Sequence, residues 1–321
     1  MMIRCNSQLS GAGILVLLVV LLSAVQPACA QTRGWGRHAA GLPRGFVRHL
    51  NIPYAHIPGV APKLLSLDIY APRDAEDLPV MVFAHGGSWT MGDKGSVARL
   101  PQPQFFCEQG FVYVAINYRL VPAVRHPDNV RDVTAAVAWV HDHIREYGGD
   151  PARLFLMGHS AGGHLVSLVA TDDRRLAEYG KDPAILSGVI SNDCQAYNIP
   201  AVIPQMPLAA RLYPTVFGND PGVLRDASPI THISPDKHVP PFLLIYSAAS
   251  AYAPVRARHA ALMASAVRAA GSRARVVGIP RRGHEQVNEL LGLDGEVTTA
   301  EVLRFLRAEL RRTPTDTRLS P

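Results

Sequence analysis

The chain has 321 residues and 48% of them are hydrophobic, so it can bury a large core and is neither disordered nor fibrous. Its formal charge of +6 comes mostly from arginines scattered along the chain, clustered only at places such as Arg281-Arg282 and Arg311-Arg312. No groove-reading or aromatic-interleaved basic motif accompanies them, which argues against a nucleic-acid partner. No CxxC or Cys/His cluster points to a metal, and no cofactor is expected.

The first segment reads as an export signal. Arg4 precedes an apolar run from Ile14 to Val25, and Pro27-Ala28-Cys29-Ala30 places small residues where a signal peptidase reads them. Residues 1–30 are therefore expected to be a signal peptide cleaved after Ala30, sending the protein to the periplasm or outside the cell. The run is short for a membrane span of about 20 residues, and no other stretch could cross a bilayer, so no membrane span is expected after cleavage. Acylation of Cys29 is disfavoured because Gln26 and Pro27 break a lipobox. After cleavage Cys107 and Cys194 remain, either as one disulfide or as two buried free thiols.

Residues 31–321 read as one α/β domain, with 31–50 and 313–321 loosely held. Short β-branched and aromatic runs at 65–70, 80–84, 112–117, 154–157, 188–190, 242–247 and 274–279 alternate with helical patterns, which predicts a mostly parallel sheet covered by helices. The helix at 128–147 is marked by Val130, Val133, Val137 and Val140 at helical spacing and is stopped by Gly148-Gly149. Further helices are predicted just after Ser160, at 255–270 and at 298–310. Segment 192–240, rich in Pro and aromatic residues, lacks a period and is expected to form a lid or pocket wall above the strand ends.

Gly158-His159-Ser160-Ala161-Gly162 is a G-x-S-x-G string between an apolar strand and a helical pattern, the context of a strained turn that presents a nucleophilic serine. His85-Gly86-Gly87-Ser88-Trp89 follows the second strand, where bare backbone can approach a reacting oxygen closely. The N–H of Gly86 or Gly87, together with that of Ala161, would form an oxyanion hole. His85 and His159 are expected to shape these two loops, and His164 to pack beneath the helix.

These motifs, with Leu67-Asp68-Ile69-Tyr70, Gly92-Asp93-Lys94, Asn117-Tyr118-Arg119-Leu120 and 127–132, resemble the hormone-sensitive-lipase-like and arylformamidase-like branch of the α/β-hydrolases. The resemblance covers about residues 65–310. It implies the α/β-hydrolase fold, His284 as general base, and hydrolysis of small carboxylic esters through an acyl-enzyme on Ser160. It leaves arylformamidase-type amide hydrolysis as the enzymatic alternative.

One position departs from the family. Relatives carry the acid of the triad in the loop after the strand at 242–247, where this chain has Ser250, and no Asp or Glu occurs between Lys237 and His284. Three readings follow: Asp193, at the end of the preceding strand, supplies the acid; a Ser160–His284 dyad acts without one; or catalysis is lost and the cleft only binds a small ligand. If the export reading holds, Edman sequencing of the protein recovered outside the cytoplasm will begin at Gln31; a retained Met1 would exclude it.

Overall fold

A computed structural model describes residues 45–312; the expected signal peptide and the tail 313–321 lie outside them. Strands β1 (Phe46–Pro53), β2 (Ser66–Pro72), β3 (Leu78–Ala84), β4 (Val112–Ile116), β5 (Gly149–His159), β6 (Leu186–Asn192), β7 (Phe242–Ser247) and β8 (Ala274–Ile279) form one 8-stranded sheet. Its order is β1-β2-β4-β3-β5-β6-β7-β8. The pairs β1–β2 and β2–β4 are antiparallel, and the remaining neighbours are parallel. This is the mostly parallel, helix-covered architecture expected from the alternating pattern.

The central strands bury both faces, as parallel strands between helical layers must. Alternate side chains divide between two cores: Val80, Val82, Leu154 and Leu156 enter one, and Met81, Phe83, Phe155 and Met157 the other. Removing each such side chain from water contributes roughly 1.5–3 kcal/mol. The first core is covered by α2 (Asp128–His143), α3 (Ala161–Thr171) and α8 (Ala253–Ala269). The second is covered by α1 (Gln102–Glu108), α9 (Gln286–Glu289) and α10 (Val297–Leu310). Cys107 lies in the second core and Cys194 in the first, so the two thiols are free and buried on opposite faces rather than paired.

The segment 192–240 is less irregular than its composition suggests. After α4 (Asp173–Ala177) and β6 it carries α5 (Ile199–Val202), α6 (Pro207–Phe217) and α7 (Pro221–Asp226). Pro200, Pro207 and Pro221 sit in first turns, where a missing N–H costs nothing, and Pro214 lies inside α6. The helix predicted over 128–147 is α-helical to His143 and tightens into a 3₁₀ turn over Ile144–Tyr147.

The expectation that residues up to 50 are loosely held fails at Phe46, where edge strand β1 begins. Its anchor is polar and could not be seen as periodicity. Asn51, at φ 58, donates its N–H to Asp68 Oδ1 at 2.7 Å and accepts from Lys94 Nζ at 2.8 Å. Lys94 Nζ also reaches Asp68 Oδ1 at 2.5 Å, and both ionic side chains are buried. Asp68→Ala should leave the ammonium without its counter-ion and destabilise the protein by roughly 3–5 kcal/mol. Urea unfolding would read this, and the double replacement Asp68→Leu/Lys94→Met should lose less than the single one.

Candidate active site

The strand ends of β3, β5 and β6 lie side by side, and three loops leave them at the same edge of the sheet. The turn after β5 is tight because its glycines leave room. A Cβ on Gly158 would come within 2.3 Å of the Gly162 backbone, and one on Gly162 within 2.1 Å of the Ala84 oxygen. Ser160, between them, sits at φ 53 and ψ −115, outside the ordinary helical and extended regions. Its N–H is held by the Asn192 carbonyl at 2.9 Å, which ties the turn to β6.

Ser160 Oγ lies 3.0 Å from His284 Nε2, and His284 Nδ1 lies 2.7 Å from Asp193 Oδ2. Ser160, His284 and Asp193, the carboxylate named in the first of the three readings, thus lie in one hydrogen-bonded series. Asp193 leaves the end of β6 at φ 52 and turns its carboxylate toward the loop between β8 and α9 that carries His284. Ser250 does not take part: its Oγ accepts the Tyr252 N–H at 3.1 Å in the turn before α8. His284 is also fixed through its carbonyl, which accepts a hydrogen bond from His159 Nε2 at 2.9 Å.

In the loop after β3, the carbonyls of His85, Gly86 and Gly87 are engaged, whereas the amides of the two glycines are not. The carbonyl of His85 accepts from Tyr118 OH, that of Gly86 from His85 Nδ1, and that of Gly87 from the N–H of Thr90 and Met91. Among the described residues, the N–H groups of Gly86 and Gly87 have no acceptor. Ala161 N–H is the first donor of α3, one that no helical carbonyl can reach. A Cβ on Gly86 would come within 3.4 Å of Ser160 Cβ, so the sequence-predicted oxyanion residues stand beside the serine.

The predicted pocket wall reaches this loop. Tyr213 and Phe217 of α6 pack edge-on against Trp89, with ring centroids 5.5 and 5.1 Å away. His164 bridges the two parts: it accepts from Trp89 Nε1 at 3.2 Å and donates from Nε2 to the Ala227 carbonyl at 2.7 Å.

One participant escaped sequence reading. Arg256 of α8 donates from Nη1 to Asp193 Oδ2 at 2.5 Å and to Ser247 Oγ at 3.0 Å, and is buried. The available signal was a cation four residues before Ala260, seven before Met263 and eleven before Val267, on the apolar stripe of its helix. A charge in that position requires a buried counter-ion. Burial alone would raise the Asp193 pKa, but the His284 hydrogen bond, the Arg256 charge and the Ser247 N–H more than offset it and hold the carboxyl below its ordinary range.

Asp172, Asp226 and His232 also converge, with ligand atoms within 4.8 Å of one another. Arg174 and Arg175 already bond both carboxylates, so this cluster is a satisfied ion-pair network rather than a cation cradle.

A sheet of this topology, with a serine on a strained turn between strand and helix, defines the α/β-hydrolase fold. Residues 67–263 match the BD-FAE family, and the chain belongs to it. Two curated relatives from Mycobacterium tuberculosis are the probable carboxylic ester hydrolase LipM, 34% identical over 59% of this chain, and the esterase LipQ, 30% identical over 61%. The matches cover 46% and 47% of those proteins, so the chain spans about half the length of the curated relatives it matches. Among solved structures, esterase B from Lactobacillus rhamnosis superposes with a TM-score of 0.68 at 21% identity, covering 85% of this chain and 90% of that one. A propionate-bound thermophilic esterase from Thermogutta terrifontis superposes with a TM-score of 0.62 at 25% identity, covering 85% and 95%.

Burial pushes His159 down to about 4, aided by repulsion from His284, and pushes His164 down to about 3. Both must stay neutral in the fold while their unfolded counterparts take up protons near pH 6.5. Their contribution to stability is therefore full above pH 6.5 and is lost as the pH falls toward the folded values. By pH 5 the loss should reach about 2 kcal/mol per histidine relative to pH 7. Urea midpoints at the two pH values would show it, and His164→Gln, whose amide can keep both hydrogen bonds, should remove about half of the difference.

Proposed function

We propose that the protein is a carboxylic ester hydrolase acting through an acyl-enzyme on Ser160. The observation that carries this reading is the continuous hydrogen-bonded series Ser160–His284–Asp193, at 3.0 and 2.7 Å. In this mechanism His284 Nε2 removes the Ser160 proton as Oγ attacks the ester carbonyl, then returns it to the leaving alkoxide. Water attacks the acyl-enzyme by the same route in reverse. The amides of Gly86, Gly87 and Ala161 receive the oxyanion, where preorganised donors lower the barrier without reorienting.

Asp193 keeps the Nδ1 proton of His284 in place, so that Nε2 faces the serine, and stabilises the imidazolium that forms. The aromatic packing of Trp89, in the loop after β3, against Tyr213 and Phe217 supports a small acyl group. The names of the mycobacterial relatives support the ester class, and the apolar run from Ile14 to Val25 followed by Ala28-Cys29-Ala30 supports action in the periplasm or outside the cell.

Hydrolysis of a short-acyl p-nitrophenyl ester and labelling by a fluorophosphonate probe test the reading. Ser160→Ala should abolish both while the circular dichroism spectrum is kept. Asp193→Asn should lower kcat by up to about 10⁴-fold, and Ser250→Asp should add nothing. Faster turnover of N-formylkynurenine than of the aryl ester would move the activity to the amide class, and a wild type that neither hydrolyses nor labels would make the cleft a binding site.

A further inference from the structure

We propose that Arg256 is a positioning residue of the triad, clamping the Asp193 carboxylate against His284 and keeping it ionised from a strand end that lacks the family's usual acid loop. The proposal rests on the hydrolase reading above.

Asp193 is fully buried. A carboxyl group in that environment is driven toward its neutral form, which neither fixes the imidazole tautomer nor stabilises an imidazolium. Oδ1 accepts the Ser247 N–H at 2.8 Å, while Oδ2 receives both His284 Nδ1 at 2.7 Å and Arg256 Nη1 at 2.5 Å. The same Nη1 reaches Ser247 Oγ at 3.0 Å, so the guanidinium joins the acid at the end of β6 to the end of β7. Without it, a carboxylate on a residue at φ 52 would be held by a single backbone N–H besides the imidazole.

The surrounding groups leave Arg256 as the source of charge. His159 from β5 is pushed down to about 4 and is neutral at working pH. Cys194 is pushed up to about 12 and Tyr197 well above its ordinary value, so both face Asp193 uncharged. Glu285 stands 3.9 Å from the opposite nitrogen of His284 and is exposed. Among the described residues in this shell, the guanidinium is the one fixed cation, and Asp193 is the carboxylate it pairs with.

Two readouts separate the clamp from the activity it serves. The downfield Nδ1–H proton resonance of His284 reports its bond to an ionised carboxylate whether or not an ester is turned over. In Arg256→Gln it should disappear, on acidification, at a pH about one unit or more above the wild-type value, and Arg256→Lys should restore the wild-type behaviour. In turnover, with active sites counted by fluorophosphonate, Arg256→Gln should lose roughly 10–100-fold in kcat, by analogy with other supporting-shell residues. KM should stay within about threefold, and Arg256→Lys should recover most of the loss.

Loss of the resonance at the same pH in all three proteins would overturn the proposal. So would equal kcat losses in the Lys and Gln variants. If Arg256→Gln does not fold, Arg256→Lys decides alone: a resonance at the wild-type position with kcat within about tenfold supports the clamp, and a lost resonance overturns it. A wild type that shows the resonance but hydrolyses no ester would sink the hydrolase reading and leave the clamp standing.

Discussion

At the end of β3 the Ala84 carbonyl oxygen lies where a Cβ on Gly162 would come within 2.1 Å of it, so α3 can begin there only on a bare Cα. That close approach sets the rest of the site. It brings the first turn of α3 beside the loop that leaves β3, which puts the Ala161, Gly86 and Gly87 amides near one another. It also forces the strained conformation of Ser160, and the sheet, buried on both faces, supplies the energy that maintains the strain.

The polar groups around the turn are arranged so that carbonyls point into the protein and donors remain for a ligand. Tyr118, His85 and the Thr90 and Met91 amides take up the carbonyls of the oxyanion loop. His164 then ties Trp89 of that loop to Ala227, at the end of the pocket wall. The adjacent Asp226 is bonded to His126, Arg174 and Arg175, which fixes the wall to the start of α2 and to α4. A neutral His164 is required for this bridge, since one ring nitrogen must accept while the other donates. The oxyanion loop and the wall are thus joined by both hydrogen bonds and ring contacts.

Asp193 stands against His284 although no Asp or Glu occurs between Lys237 and His284. β6 and β7 are adjacent parallel strands, so a residue just past β6 can reach the histidine loop from one strand over. The cost of that route is burial, because Asp193 lies deeper than an acid on an exposed loop. A buried arginine offsets it, with the further consequence that Arg256 and Asp193 each become expensive to replace alone.

Much of this was legible in the residues. Short continuous apolar runs and helical valine spacing located the central sheet and the helix at α2, because burial on both faces of a strand leaves a continuous local signature. The G-x-S-x-G string and the HGG loop located the serine and its amides, because only glycine permits such approaches. Strand β1 was missed, since its anchor is an Asn51–Asp68–Lys94 polar contact without periodicity. Sequence could also name Asp193 as one acid among three readings and show that none stood in the usual segment. It could not choose, because the choice depends on which strand lies beside which. Tertiary structure alone placed Asp193 2.7 Å from His284 and brought Arg256 onto the same oxygen. Arg256 and His284, 63 and 91 positions after Asp193, share its carboxylate there, a proximity that arises only from strand order.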